Sequence, residues 1–404
     1  MKLSHTFLGG LAAVWAEFCP DKECYFELRL QWRLTMSCMN PADKFWYPVT
    51  FDDGGTTIHK YESALYPQKG TYKDDEGVPQ FKPWLYQDHT FDESRCVYGD
   101  GSRTGIVTIN DQHPGPVLEV NKDALVHVTV VNELLGGTAA YIHFHGFKFG
   151  GGYMWYDGVA GLTQCPIVSG QKFTYSFIAS EVGLRWYHGH GSGLKLDGLY
   201  GPIIVYETNP RQHEPNVLMI NDHFSEITHG TAAGPILASS VYTHAGTGEL
   251  DNNLNTRWFM EDGTSTTPST FDSLLINGRQ ATMDNQIPMS AYDMRENKSL
   301  HLVCSSAETG IEVEVANHEI RLLELDGYPV NPTVARRLYL GPGETAKIEL
   351  NVLDTNNVEM EMNVLLKANA AGSYRGWVDK ETKQRSESPT AYAILKLTDD
   401  DDWC

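Results

Sequence analysis

His143-Phe144-His145-Gly146 and Trp186-Tyr187-His188-Gly189-His190 place two His-X-His triplets in one chain, the first beginning at position 143 and the second at position 188. In an extended strand alternate side chains share a face, so each triplet points two imidazoles the same way. Converging neutral imidazoles suit copper, zinc or iron far better than magnesium or calcium. The surrounding sequence has the texture such strands need. Gly105 to Asn110, Ala124 to Val131, Ala140 to His145, Lys172 to Ile178 and Pro202 to Tyr206 are short β-rich runs separated by turns. Runs of that length at close spacing predict a sandwich or barrel.

Outward from this unit the chain divides. Residues 17–100 hold four cysteines, many aromatics and the turn-rich Asp52-Asp53-Gly54-Gly55, and read as a disulfide-pinned extension with a few short strands. A turn-rich linker at Thr208-Asn209-Pro210-Arg211 opens a second β-rich unit, with strands at Val217–Ile220, Leu274–Ile276, Ile311–Val315, Ala346–Val352 and Ala391–Leu397. The segment 229–270 reads as long loops, and an acidic tail ends the chain. No run carries convincing helical periodicity, so the fold class is all-β.

Composition sets the limits on function. The 404 residues carry 31 Lys and Arg against 52 Asp and Glu, a formal charge of −21. That charge disfavours nucleic acid and anionic membrane surfaces as partners. An acidic surface is otherwise ordinary for a secreted protein. Met1 to Ala16 has an early Lys2, an apolar run from Phe7 to Trp15 and small residues suited to signal-peptidase cleavage, which predicts a signal peptide over 1–16 and an extracellular location. The apolar run is too short to span a bilayer. Seven cysteines agree with an oxidising compartment, and their odd number leaves one unpaired or paired outside the chain. Asn297-Lys298-Ser299 is a single glycosylation sequon.

Read together, these residues resemble a known family. His143-Phe144-His145-Gly146, with Asp157-Gly158-Val159 and Thr163-Gln164-Cys165-Pro166-Ile167, looks like the first copper motif of the multicopper oxidases. Trp186-Tyr187-His188-Gly189-His190, followed by Leu196-Asp197-Gly198-Leu199-Tyr200-Gly201-Pro202, is similar to the second. Leu218-Met219-Ile220-Asn221-Asp222, Leu275-Ile276-Asn277-Gly278 and Leu325-Asp326-Gly327-Tyr328-Pro329-Val330 resemble middle-domain landmarks. The wording is most like laccases, and Lys195 to Gly201 with the Cys-rich N-terminus suits their animal branch.

The resemblance implies cupredoxin-like Greek-key β-sandwich or barrel domains, one over 101–208 and one over 209–400. It implies copper as cofactor, with His143 as ligand of a type 2 copper and His145, His188 and His190 as ligands of a type 3 pair. Asp157 matches a family carboxylate that assists proton delivery, although the Gly-rich stretch Lys148 to Tyr156 is about one residue longer than usual; alone, Asp157 would read as a turn residue. The resemblance also implies a Cys165–Cys304 bridge between the units. Cys19, Cys24, Cys38 and Cys96 would then pair among themselves in one of three ways, with Cys404 left over.

The activity implied is oxidation of phenols, aromatic amines or ferrous iron coupled to reduction of dioxygen to water. The family takes its electron-accepting copper ligands, and half its cluster histidines, from a His-Cys-His run and a His-Pro-X-His-X-His run in a third domain. Neither run occurs in these residues. The expectation is therefore a partial or truncated member, the third domain absent, inactive alone unless a partner chain supplies the missing ligands. The alternative is a non-catalytic secreted copper-binding or interaction protein that keeps the half-site.

Overall fold

The computed structural model of the chain describes residues 16–39, 46–52, 55–60, 95–190 apart from 136, 193–207, 215–223, 273–282, 287–294, 298–352 apart from 308, 363–371 and 389–397. It also describes Lys44, Asn285 and the short strands Tyr72–Lys73, Pro79–Gln80, Trp84–Tyr86, Trp258–Phe259 and Ser265–Thr266. The expected signal peptide up to residue 15, the linker at 208–211, most of the 229–270 loops, the sequon asparagine and Cys404 lie outside the described residues.

The first sandwich is built from β1 (Ala16–Cys19), β2 (Glu23–Leu34), β3 (Gly105–Ile109), β4 (Val117–Asn121), β5 (Leu125–Asn132), β6 (Ile142–His145), β7 (Lys172–Ile178), β8 (Gly183–Gly189) and β9 (Tyr200–Tyr206). One sheet has the order β1-β4-β9-β8-β6 and the other β3-β2-β5-β7. The pairs β1/β4, β4/β9 and β2/β5 are parallel, so the chain crosses between sheets as a Greek-key sandwich does. Period-two patterning drives the packing. Cys24, Phe26, Leu28 and Leu30 of β2 join Val126, Val128 and Val130 of β5 in one buried core, while Glu23, Tyr25, Glu27 and Arg29 point to solvent. Full burial of each large apolar side chain contributes about 1.5–3 kcal/mol.

The second sandwich comprises β10 (Asn216–His223), β11 (Ser273–Ile276), β12 (Ser290–Asp293), β13 (Ser299–Cys304), β14 (Gly310–Val315), β15 (His318–Leu325), β16 (Tyr328–Ala335), β17 (Arg337–Leu340), β18 (Thr345–Val352), β19 (Asn363–Ala371) and β20 (Thr390–Lys396). Its sheets run β11-β10-β13-β18-β15-β16 and β12-β20-β19-β14-β17 around a separate core that includes Leu218, Leu302, Val313, Ile348 and Leu395. Helical structure among the described residues is confined to short 3-10 turns such as Met154–Tyr156, and no helix there is long and apolar enough to cross a membrane. The all-β expectation holds.

Two expectations need correction. Residues 17–100 are not a separate extension throughout, because β1 and β2 are integral strands of the first sandwich and the sheet therefore begins well before residue 101. Among the described residues of this stretch, the five-stranded sheet that includes Ser37–Met39, Trp46–Asp52 and Cys96–Val97 and the two-stranded pair Tyr72–Lys73/Pro79–Gln80 are separate from its sheets. Nor do Cys165 and Cys304 form a bridge: both are free thiols, Cys165 exposed and Cys304 buried. Cys304 sits at the end of β13 with its Sγ 3.7 Å from the Thr309 carbonyl, and burial pushes its pKa up to about 12. Cys19 pairs with Cys24 and Cys38 with Cys96, which selects one of the three open pairings.

Candidate metal centre

Strand β6 alternates strictly. Ile142 and Phe144 enter the core, so His143 and His145 emerge together on the opposite face. β8 lies antiparallel to it, with His143 opposite His188 and His145 opposite Trp186. His190 follows the end of β8 on the same alternation. The ring centroid of His143 is 5.6 Å from that of His145, 5.3 Å from His188 and 5.4 Å from His190. Ligand atoms of His143, His145 and His188 all lie within 4.8 Å of one another. Nitrogens about 2.0 Å from one ion sit up to about 4 Å apart, so the three are close to a coordination span.

The hydrogen bonds decide which nitrogens face the centre. His143 Nδ1 lies 2.6 Å from the Asp157 carbonyl, and His188 Nδ1 lies 3.0 Å from the Gly189 carbonyl. A carbonyl only accepts, so each Nδ1 carries the proton and each Nε2 keeps its lone pair. This is how protein-held metal sites fix the tautomer and aim of their imidazoles. Burial pushes the pKa of His145 down to about 4, with His143 and Lys195 adding to the fall. Burial likewise holds His188 well below the usual range and lowers His190. These three therefore stay neutral, the form a metal needs. The donor set fits copper: clustered imidazole nitrogens, three of them held neutral by burial.

Asp157 also reaches the cluster. It ends the Met154–Tyr156 turn, and its carboxylate Oδ1 is 3.3 Å from His143 Nδ1. Gly158 makes that approach available: at φ +82°, a Cβ there would fall 1.8 Å from the Ile142 carbonyl oxygen, so only glycine lets the turn lie against β6. The structure thus brings all five sequence-chosen residues to one place.

Three neighbours escaped sequence reasoning. Trp186 stacks on His145 at 5.0 Å and lies 4.3 Å from His188. Its signal was present, because positions 186, 188 and 190 share one strand face. Lys195 lies over the Trp186 ring at 5.9 Å and donates to the Ser306 carbonyl of the second sandwich at 3.1 Å. Gly343, also in the second sandwich, comes so close to His145 that a Cβ on it would lie 3.2 Å from Cε1. Neither had a local signal, since both depend on docking.

Comparison with known proteins agrees with this geometry. Multicopper oxidase family models match residues 90–210 and 233–359, together more than half of the chain. Laccase-1 of Cryptococcus neoformans var. grubii is 28% identical over 284 residues, covering 66% of this chain and 42% of that protein. Laccase-6 of Arabidopsis thaliana is 32% identical over 248 residues, covering 60% and 39%. The crystal structure of laccase from Botrytis aclada shares the fold with a TM-score of 0.53 at 23% identity, covering 74% of this chain and 50% of that one. The chain spans less than half the length of the curated relatives it matches. The two matched segments, the all-β sandwiches and the converged imidazoles lead to one conclusion: the chain belongs to the multicopper oxidases.

Proposed function

We propose that this chain is the copper-binding part of a laccase-like oxidase, with His143 holding a type 2 copper and His145, His188 and His190 holding a type 3 pair. The observation that carries the reading is the convergence of imidazoles whose Nδ1 protons are committed to carbonyls at His143 and His188, leaving Nε2 lone pairs for the ion. Bound copper would supply the one-electron chemistry that couples oxidation of a phenol, an aromatic amine or ferrous iron to reduction of dioxygen to water. The chain's own residues orient and desolvate. Trp186 packs His145 and His188 into place, and burial keeps His145, His188 and His190 neutral. The Asp157 carbonyl is the main anchor of His143, which leaves its carboxylate to hold a proton beside the cluster. A signal peptide and secretion fit the two disulfides near the N-terminus.

A second reading has its own support. No cysteine in these 404 residues has a histidine neighbour of the His-Cys-His kind, so the thiolate ligand of an electron-accepting copper lies outside them. Turnover then needs ligands from beyond these residues, in the same polypeptide or in a partner chain. Without them the chain acts as a secreted copper-binding protein with a half-site.

Copper titration of the purified chain, followed by electron paramagnetic resonance, tests the proposal. The wild type should bind copper with imidazole-nitrogen hyperfine structure and no intense thiolate-to-copper band. His143→Ala and His188→Ala should each weaken binding by about tenfold or more, the scale set by loss of a ligand or its support. Unchanged copper binding in a variant lacking both histidines would overturn the assignment.

A further inference from the structure

Arg185 stands directly before Trp186 on β8 and is almost wholly buried, at 2% exposure. Among the described residues no carboxylate forms an ion pair with it, and Glu181, Asp326 and Glu324 act only through space. Its guanidinium spends its protons on backbone instead. Nε donates to the Gly146 carbonyl at 3.0 Å, and Nη1 donates to the Leu184 carbonyl at 2.7 Å and the Asp326 carbonyl at 3.1 Å. Nη2 is buried without a hydrogen-bond partner. The Tyr328 ring covers the group at 5.4 Å. Burying a guanidinium is costly, and a well-packed apolar side chain would serve stability as well. What an apolar side chain lacks is the planar fork that reaches carbonyls of both sandwiches at once.

The walls of this slot are glycines. A Cβ on Gly146 would lie 2.5 Å from Arg185 Cδ, and one on Gly327 would lie 1.5 Å from Nη1. Gly146 follows His145, and Trp186, the residue after Arg185, stacks on the His145 ring. On the far side, Asp326 is tied to Thr345, its N–H donating to the Thr345 carbonyl at 2.8 Å and its Oδ1 accepting the Thr345 N–H at 3.0 Å. Gly343, which abuts His145, lies just before Thr345 in the turn that leads into β18.

We infer that Arg185 is a positioning residue. It locks the Asp326-Gly327 turn of the second sandwich to the end of β6, so that docking of a unit that supplies no ligand sets the place of the His145 imidazole. The inference rests on the copper reading above. A metal ligand held by packing and a second layer of hydrogen bonds loses affinity when that layer is removed.

The full chain carries the test, as Arg185→Met, Arg185→Lys, Gly327→Ala and the Arg185→Met/Gly327→Ala double variant. Copper(II) affinity is measured by competition with a chelator, and the His145 ring resonances are followed by NMR in the metal-free chain. Arg185→Met should weaken copper binding about tenfold, and Arg185→Lys should rescue little of it, since an ammonium cannot reproduce the fork. Gly327→Ala should also weaken copper binding, and should do so far less in the Arg185→Met background. Additive effects of the two changes, or a copper affinity for Arg185→Met within about twofold of wild type, would sink the inference, because coupled neighbours do not add. If the wild type binds no copper, the copper reading fails by itself and the NMR arm decides this one. Shifted His145 resonances in both single variants support the coupling, and unmoved resonances overturn it.

Discussion

At the scale of single residues, His301 and His113 make the fold sensitive to acid. His301 is buried on β13 with its Nδ1 lacking a hydrogen-bond partner, and burial, with Lys347 adding, pushes its pKa down to about 3. His113 keeps part of its surface open, yet its Nδ1 is buried and unpartnered, and Tyr200 Oη lies 3.2 Å from Nε2. Burial again lowers its pKa to about 3, with His223 adding. In the unfolded chain both return to about 6.5. Below that value the unfolded state binds more protons, so stability is complete above pH 6.5 and falls as pH drops toward 3. Each group contributes a slope of about 1.4 kcal/mol per pH unit, so the pair should cost on the order of 4 kcal/mol between about pH 6.5 and 5. His145, pushed down to about 4, acts in the same direction in the metal-free chain. Urea denaturation at about pH 7 and about pH 5 measures the difference, and His301→Leu should remove a substantial share of it. Equal stability at the two values would contradict the enclosure of these rings. The site residues were legible because spacing and context announce them, whereas His301 and Arg185 owe their properties to what folds over them.

At the scale of elements, β2 shows both what the sequence carried and what obscured it. Its residues alternate outward and inward from Glu23 to Leu30, a plain period-two signal. The neighbouring cysteines and turns made the region read as an appendage, and no local feature says that β5 is its partner. The expected strands from 105 to 206 and from 217 to 397 agree with observed ones to within about two residues at most ends, as strand bounds normally do. The disulfides then make a contrast that can be measured. Cys19 and Cys24 are separated by 5 positions, Cys38 and Cys96 by 58. Closing the short loop should contribute about 2 kcal/mol and the long one about 4 kcal/mol through the entropy of the unfolded chain. Replacing both cysteines of the Cys38–Cys96 pair by serine should therefore lower the urea midpoint more than the same change at Cys19–Cys24. The reverse order would show that the tight loop carries native interactions beyond chain entropy.

At the scale of the whole molecule, the two sandwiches share a third hydrophobic cluster. Val117, Leu184, Trp186, Tyr200 and Ile204 from the first meet Val217, Met219 and Val303 from the second, all buried. The polar groups at this boundary are paired too, with Tyr200 Oη donating to Asn221 Oδ1 at 2.6 Å and Lys195 reaching Ser306. An apolar seam of this kind resembles a domain core more than the polar interface between freely moving units. It also contains Trp186, the residue stacked on His145 and packed against His188, so loosening the seam disturbs the candidate site directly. The two halves should consequently unfold together. Met219→Ala removes a fully buried side chain at the centre of the seam and should cost about 2–5 kcal/mol. Because Met219 belongs to the shared cluster and not to the core of the second sandwich, the loss should fall on coupling. Calorimetry should show one transition for the wild type and two for the variant, with copper affinity reduced in step. Two well-separated transitions in the wild type would mean that the seam does not bind the halves into one cooperative unit, and that the second sandwich is a passenger to the candidate metal site.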